Sequence, residues 1–348
     1  MPRITLAPTG RTFGADAAES ILEAALRAGL NLPHSCKGGH CAACRALVVA
    51  GTWDYPGECP PGITAEETAE GYALLCQARA LTELTVETRE VKPAPDVEVK
   101  SLPSRIERME RIADDVMAVL LRLPAVEALH FRPGQYVDVM QPQGRRRSFS
   151  IASAPADGSL LELHVRRASA GGFTGQVFDT LRPGALLRIE GPLGQFWLRT
   201  ESPRPALMVG GGTGYAPLRS MLRQLIATGD RRPVVLYWGV RGERDLYEDG
   251  WLRALEGTRR QFAYRPVLSA APTGPSAWQG RRGLVHEAVL ADHPDLSGFD
   301  VYASGPPAMI EAIRSGFVAR GLPRQQLHFD SFDYAPDTLA RMKPARPT

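Results

Sequence analysis

Cys36, Cys41 and Cys44 crowd three of the chain's five cysteines into the stretch HSCKGGHCAAC, His34 to Cys44. Thiols at this CxxxxCxxC spacing serve one centre only if the backbone wraps around it. Lys37-Gly38-Gly39 and Ala42-Ala43 are flexible or small enough to permit that wrap. A fourth ligand is needed, and Cys76 in GYALLCQARA follows Cys44 after a 31-residue gap. Whatever fold the N-terminal part adopts must bring Cys76 back beside the loop. A zinc site, a disulfide, a redox dithiol and an iron–sulfur cluster all use crowded thiols. Zinc favours two short knuckles or nearby histidine partners. One knuckle, a four-residue loop and a distant fourth cysteine fit a [2Fe–2S] site better. Cys59, between Glu58 and Pro60, reads as a spare thiol, and His34 and His40 as solvated loop residues.

Five cysteines, the last at position 76 of 348, do not form a disulfide framework for a chain this long, so a reducing, cytoplasmic setting is expected. Met1-Pro-Arg-Ile-Thr-Leu lacks the charged and then apolar segments of a secretory signal. No apolar run approaches the roughly 18 residues of a membrane span. Hydrophobic residues at 44% and charged residues at 23% argue for globular protein and against disorder. A net charge of +3 without extended Lys/Arg runs argues against nucleic acid as a partner. The basic triplet Arg145-Arg146-Arg147 needs a local explanation.

The length implies two or three domains. Residues 1–91 read as a small α+β domain: a hairpin, a helix in AESILEAALRAGL with Ile21, Leu22, Ala25 and Leu26 on one face, and strands at Arg45–Gly51 and Leu81–Glu90. Residues 92–102 read as a proline-bearing linker. Over 103–202, short β-like runs at Val116–Leu123, Gln135–Met140, Arg147–Ala152, Leu160–Val165 and Leu186–Glu190 suggest an antiparallel barrel. Residues 203–334 alternate strand, glycine loop and helix, the pattern of a parallel α/β sheet, and 335–348 form a tail.

Two stretches of the barrel read as anion sites. In RRRSFSIASAP, Arg147 can meet a pyrophosphate, Phe149 a flat heterocycle and Ser150 a polar ring edge. In HVRRASAGGFTGQVF, Arg166 precedes Gly171-Gly172-Phe173-Thr174, whose free N–H groups and hydroxyl can hold phosphate at a helix start. Two such sites in one barrel suggest a dinucleotide. ALMVGGGTGYAPLRSMLRQLIATG is a buried strand, a glycine loop and a helix, with Pro217 in the first turn. It departs from GxGxxG because Tyr215 stands in the third glycine's place, yet Gly210, Gly211, Gly212, Thr213 and Gly214 still bring bare N–H groups to a helix N-terminus. Arg241, past the strand PVVLYWG, is placed for a ribose or a 2′-phosphate. YASGPPAM, with Gly305 and Pro306, leaves a further crevice at the carboxyl end of a strand.

Taken together these motifs resemble the ferredoxin-fused branch of the ferredoxin–NADP⁺ reductase family, which includes oxygenase reductase components. In GRRRSFSIASAP, EGPLGQF, LYWGVR and GLVHEAVL the likeness is closest to reductases of the CDP-6-deoxy-3,4-glucoseen type. The resemblance implies a β-grasp [2Fe–2S] ferredoxin domain, an antiparallel FAD-binding barrel and a parallel α/β NAD(P)H-binding domain. It implies Cys36, Cys41, Cys44 and Cys76 as cluster ligands, and Arg147, Phe149, Ser150, Gly172 and Thr174 as FAD contacts. Gly210 to Pro217 would form the nicotinamide-dinucleotide loop. Asp330-Ser331-Phe332 would be the aromatic ending that covers the flavin.

Phe149 stands where the family has tyrosine, and Ser304 where it commonly has cysteine beside the nicotinamide. Ser150, Ser304 and Phe332 are the residues so implied at the reacting centre. The implied reaction moves electrons from NAD(P)H to FAD, then to the cluster, then to an electron-accepting protein, a sugar-nucleotide dehydrase or an oxygenase component. No acid–base pair or nucleophile is assigned.

Overall fold

The computed structural model describes residues 1–7, 9–30, 32–34, 38–39, 44–60, 62–88, 98–125, 129–142, 145–168, 172–270 and 278–332. The chain divides into two compact units, Met1–Val97 and Glu98–Thr348.

In the first unit, β1 (Arg3–Ala7) and β2 (Arg11–Gly14) form a hairpin, and α1 (Ile21–Arg27) follows. Ser20 starts α1 with a capping box: its hydroxyl accepts from the Glu23 N–H while the Glu23 carboxylate accepts from the Ser20 N–H. The helix buries Ile21, Leu22, Ala24 and Ala25, and each large side chain so removed from water is worth roughly 1.5–3 kcal/mol. β3 (Arg45–Ala50), β4 (Trp53–Asp54), α2 (Ala65–Ala69), β5 (Tyr72–Leu74), β6 (Arg79–Ala80) and β7 (Leu84–Glu87) complete the unit. The main sheet runs β2-β1-β7-β3-β5, with β1 and β7 parallel at its centre. This is the β-grasp arrangement, with α1 packed across the sheet.

The second unit opens on β8 (Lys100–Ala113), a 14-residue strand that begins inside the stretch read as linker. Its solvent side carries arginines and glutamates, while Leu102, Ile106 and Met109 face the core. β9 (Val116–Arg122), β10 (Tyr136–Met140), β11 (Arg146–Ser150), β12 (Leu160–Arg166), α3 (Phe173–Asp179) and β13 (Leu186–Leu193) follow. Pairing is antiparallel throughout in the order β11-β10-β13-β8-β9-β12. A bridge from Ile151 to Leu163 joins the two outer strands and closes the barrel.

The remainder is a parallel sheet: β14 (Ala206–Gly211), α4 (Tyr215–Ala227), β15 (Val234–Val240), α5 (Asp249–Thr258), β16 (Phe262–Leu268), β17 (Arg281–Arg282), α6 (Val285–Asp292), β18 (Asp300–Gly305), α7 (Pro307–Val318) and β19 (Leu327–Ser331). The order is β17-β16-β15-β14-β18-β19. The chain builds outward from β14 on one side and returns to β18 on the other. That reversal creates a crevice beyond the carboxyl ends of β14 and β18, where ligands of open α/β sheets bind.

Candidate cofactor sites

In the first unit, Cys44 directly precedes β3 and Cys76 follows β5, and both thiols are buried. The antiparallel register of β3 and β5 sets Arg45 against Leu74, and the Leu75 N–H donates to the Cys44 carbonyl at 3.2 Å. The sheet thus brings the segment that leads to Cys76 beside Cys44. Gly39, at φ +82°, is pressed so closely on this strand end that a Cβ would sit 2.8 Å from Pro60 and 2.9 Å from Gln77. That close wrap beside buried thiols fits a cluster cradle. Cys36, Cys41 and His40 lie outside the described residues. His34 corrects the reading of a solvated histidine: it is buried, with Nδ1 2.8 Å from the Leu32 carbonyl. Tyr55 accepts from the Leu74 N–H at 2.9 Å, and burial, with thiol charge nearby, pushes its phenol up to about 12.

On the barrel, the arginine triplet divides its work by strand alternation. Arg146 is paired to Glu190 and lies 3.6 Å from Asp138, whose other oxygen accepts from the Ser148 hydroxyl at 2.6 Å. Arg147 and Phe149 occupy the opposite face of β11. Arg147 is half-buried, and its Nη1 donates to the Arg146 carbonyl at 2.8 Å. The half-buried Phe149 ring packs on Phe173 at 5.6 Å, and Ser150 is buried at the strand end. Thr174, in the first turn of α3, accepts from the Ala168 N–H at 3.2 Å, and Gly172 caps that helix. Gly171 lies outside the described residues.

The glycine loop sits at the switch point. Gly212 has φ +56°, and a Cβ there would lie 2.7 Å from Arg166 Nη1, so the end of β12 brings a guanidinium against the loop from the barrel side. Arg166 also lies 3.2 Å from Asp115. Gly214 is pressed onto the Ser304 carbonyl, and any Cβ would collide with it. Trp238 Nε1 donates to the Gly212 carbonyl at 2.9 Å, which turns that carbonyl inward and leaves the half-buried Gly211–Thr213 edge outward. Backbone amides, a helix N-terminus and an arginine converge there, a donor set that fits a pyrophosphate. Gly210, Gly214 and Pro217 are buried, so they shape the loop instead of presenting surface to a ligand.

Ser304 lies at the carboxyl end of β18 but is fully buried in this conformation, and its hydroxyl finds no hydrogen-bond partner among the described residues. Gly305 is buried and Pro306 exposed at the sheet edge. The Phe332 N–H donates to the Gly305 carbonyl at 3.0 Å, which places Phe332 beside that edge. Arg241 is exposed past the end of β15.

Residues absent from the sequence reading lie behind the loop. Arg219 of α4 is buried and bridges three groups: Nη1 donates to the Ala152 carbonyl and to Glu162 Oε2, each at 2.9 Å, while Nε donates to Glu248 at 2.9 and 3.0 Å. His164 lies 3.1 Å from both Glu162 and the Tyr247 hydroxyl. Burial alone would raise the Glu162 carboxyl, but the His164 hydrogen bond and the Arg219 charge hold it at about 2. The only sequence signal for this cluster is the departure at Tyr215, whose hydroxyl donates to Glu248 at 2.6 Å.

Residues 4–81 match the 2Fe-2S iron-sulfur cluster binding domain family, 103–197 the oxidoreductase FAD-binding domain family, and 208–315 the oxidoreductase NAD-binding domain family. A CDP-6-deoxy-L-threo-D-glycero-4-hexulose-3-dehydrase reductase of Yersinia pestis is 37% identical over 332 residues, covering 94% of this chain and 98% of its own. The chain belongs to this family of iron–sulfur flavoprotein reductases. The reductase subunit of an aromatic O-demethylase from Amycolatopsis is 36% identical over 328 residues, covering 93% of this chain and 96% of its own. The crystal structure of an Amycolatopsis cytochrome P450 reductase superposes with a TM-score of 0.74 at 35% identity, covering 95% and 99% of the two chains.

The reductase is thus an NAD(P)H-dependent oxidoreductase with FAD and a [2Fe–2S] cluster, and electrons pass through them in that order. No helix among the described residues is long and apolar enough to cross a membrane.

Proposed function

We propose that the outward edge of Gly211, Gly212 and Thr213, with Arg166 facing it, holds the pyrophosphate of NAD(P)H. Gly210, Gly214 and Pro217 give the loop its shape, and Arg241 takes the ribose end of the dinucleotide. Gly305 and Pro306 border the nicotinamide, with Ser304 beneath them and Phe332 alongside. Because Ser304 is buried, its contact with the nicotinamide requires the segment covering it to move. Arg147 and the Gly172–Thr174 segment hold the FAD phosphates, while Phe149 and Ser150 face the flavin ring. Cys36, Cys41, Cys44 and Cys76 ligate the cluster. When bound, NAD(P)H supplies an electron pair, the flavin splits it, and the cluster carries single electrons outward.

The observation that carries this reading is the meeting of Arg166 and Gly212 at the β14–β18 switch point, which joins an element of the flavin barrel to the dinucleotide loop. The acceptor is a partner protein in the cytoplasm. Similarity to the Yersinia pestis reductase favours a sugar-nucleotide dehydrase. Similarity to the O-demethylase subunit and the cytochrome P450 reductase supports an oxygenase component as the second reading.

Purified full-length protein should show flavin and iron–sulfur absorbance and reduce cytochrome c with NAD(P)H. Absence of both chromophores overturns the reading. Reconstitution with a sugar-nucleotide dehydrase and, in parallel, an oxygenase component decides the acceptor, and the two kcat/KM values decide between NADH and NADPH.

A further inference from the structure

We propose that Arg219 and Tyr215 are positioning residues for electron transfer from NAD(P)H to FAD, because they tie the dinucleotide loop to the strand that carries the flavin motif. The inference rests on the reading of those two segments given above.

The argument begins with chain adjacency. The flavin motif ends at Ser150, and Ala152 and Ser153, two and three residues further on, are those that α4 grips. Arg219 Nη1 donates to the Ala152 carbonyl at 2.9 Å, and the Ser220 hydroxyl donates to the Ser153 carbonyl at 2.6 Å. Both Arg219 and Ser220 lie in the helix that the glycine loop opens, so each cofactor segment is a few residues from the same clamp. A second path returns to the loop itself. Arg219 holds Glu248, Glu248 accepts from the Tyr215 hydroxyl, and Tyr215 stacks on Trp238 with centroids 4.1 Å apart and planes at 21°. Trp238 in turn donates to the Gly212 carbonyl. Tyr247 packs edge-on against both rings and meets His164 of the barrel.

The chemistry of the clamp argues for geometry over adhesion. A buried cation between two carboxylates carries a desolvation cost, and apolar packing of similar volume is often as stabilising or more so. A guanidinium, unlike an ammonium, has a planar fork that engages a carbonyl and two carboxylates in fixed directions. The departure at Tyr215 has the same logic: the position needs a ring to brace Trp238 and a hydroxyl to reach Glu248.

The test uses the full chain loaded with both cofactors, in Arg219→Gln, Arg219→Lys and Tyr215→Phe forms. Flavin and iron content serve as the folding control. In Arg219→Gln the limiting rate of flavin reduction should fall about tenfold to a hundredfold, the scale of a small misplacement of reacting groups, with NAD(P)H affinity within about threefold. The long-wavelength charge-transfer absorbance between nicotinamide and flavin should weaken in parallel, and amide hydrogen exchange over residues 211–214 should accelerate. Arg219→Lys should not rescue, and Tyr215→Phe should shift the same readouts less. Unchanged limiting rate, charge-transfer absorbance and exchange in Arg219→Gln overturn the proposal, as does a loss explained wholly by weaker affinity. If Arg219→Gln fails to fold, Tyr215→Phe decides by the same criteria. Failure of NAD(P)H to reduce the unsubstituted protein would instead sink the assignment of the loop, while the exchange measurement still reads the clamp.

Discussion

Ser304 is fully buried, and its hydroxyl has no hydrogen-bond partner among the described residues. An unsatisfied buried hydroxyl costs about 1–3 kcal/mol, a cost that a thiol of similar shape, with weaker hydrogen-bonding demands, largely avoids. Ser304→Cys should therefore raise stability by about 1 kcal/mol. On the proposed placement of the nicotinamide, it should also speed flavin reduction several-fold, because a larger, more polarizable atom beneath that ring would hold it better. Stopped-flow reduction with NAD(P)H checks this, and an equal or slower rate counts against the role given to Ser304. Gly214 is constrained differently. Its backbone rests on the Ser304 carbonyl, so Gly214→Ala should displace the loop and weaken NAD(P)H binding by at least about tenfold, the effect of losing a well-formed anion contact, as read by equilibrium titration.

At the scale of elements, β8 shows how a strand can hide in a charged sequence. Arginines, glutamates and Pro103 dominate KSLPSRIERMERIA, and the first three residues fall where a linker was expected. Alternation survives beneath the charges, since Leu102 and Ile106 are 2% and 1% exposed. β8 also pairs on both edges, with β13 and β9, so the barrel depends on it. Ile106→Ala should cost about 2–5 kcal/mol and lower the melting temperature and flavin retention together, whereas Arg108→Ala, on the exposed side, should cost little. The helix α1 is easier to read, through its apolar face of Ile21, Leu22, Ala25 and Leu26, because that signal is local; the Ser20–Glu23 cap that starts it emerges from the structure. Cys44 and Cys76 fall between these cases. Spacing nominated them, and only the β3–β5 register shows how the chain carries both to one end of the sheet.

For the whole molecule, buried ionisable groups tie stability to acidity. His328 of β19 stacks on Tyr302, and burial, with the Arg199 charge adding and Glu201 opposing, pushes its imidazole from 6.5 down to about 4. The folded chain therefore holds His328 neutral where the unfolded chain is protonated. Its contribution is complete above pH 6.5 and is lost as the pH falls toward about 4. Glu162, held at about 2 against an ordinary 4.5, contributes above 4.5 and is lost only below that. The free energy of unfolding should thus decline from pH 6.5 to about 4, with His328→Phe flattening that limb by about 1–2 kcal/mol once partial solvent screening is allowed for, as read by denaturant titration across that range. An unchanged slope in the variant would assign the acid sensitivity elsewhere. The fold class and the cofactor types are legible in the sequence, because ligand spacing, glycine loops and apolar periodicity are local properties of the chain and together carry the family resemblance. The joint between barrel and nucleotide domain is not. Arg219 meets Ala152 across 67 residues, and the partners of a buried charge depend on which surfaces the fold brings together, a choice no local pattern records.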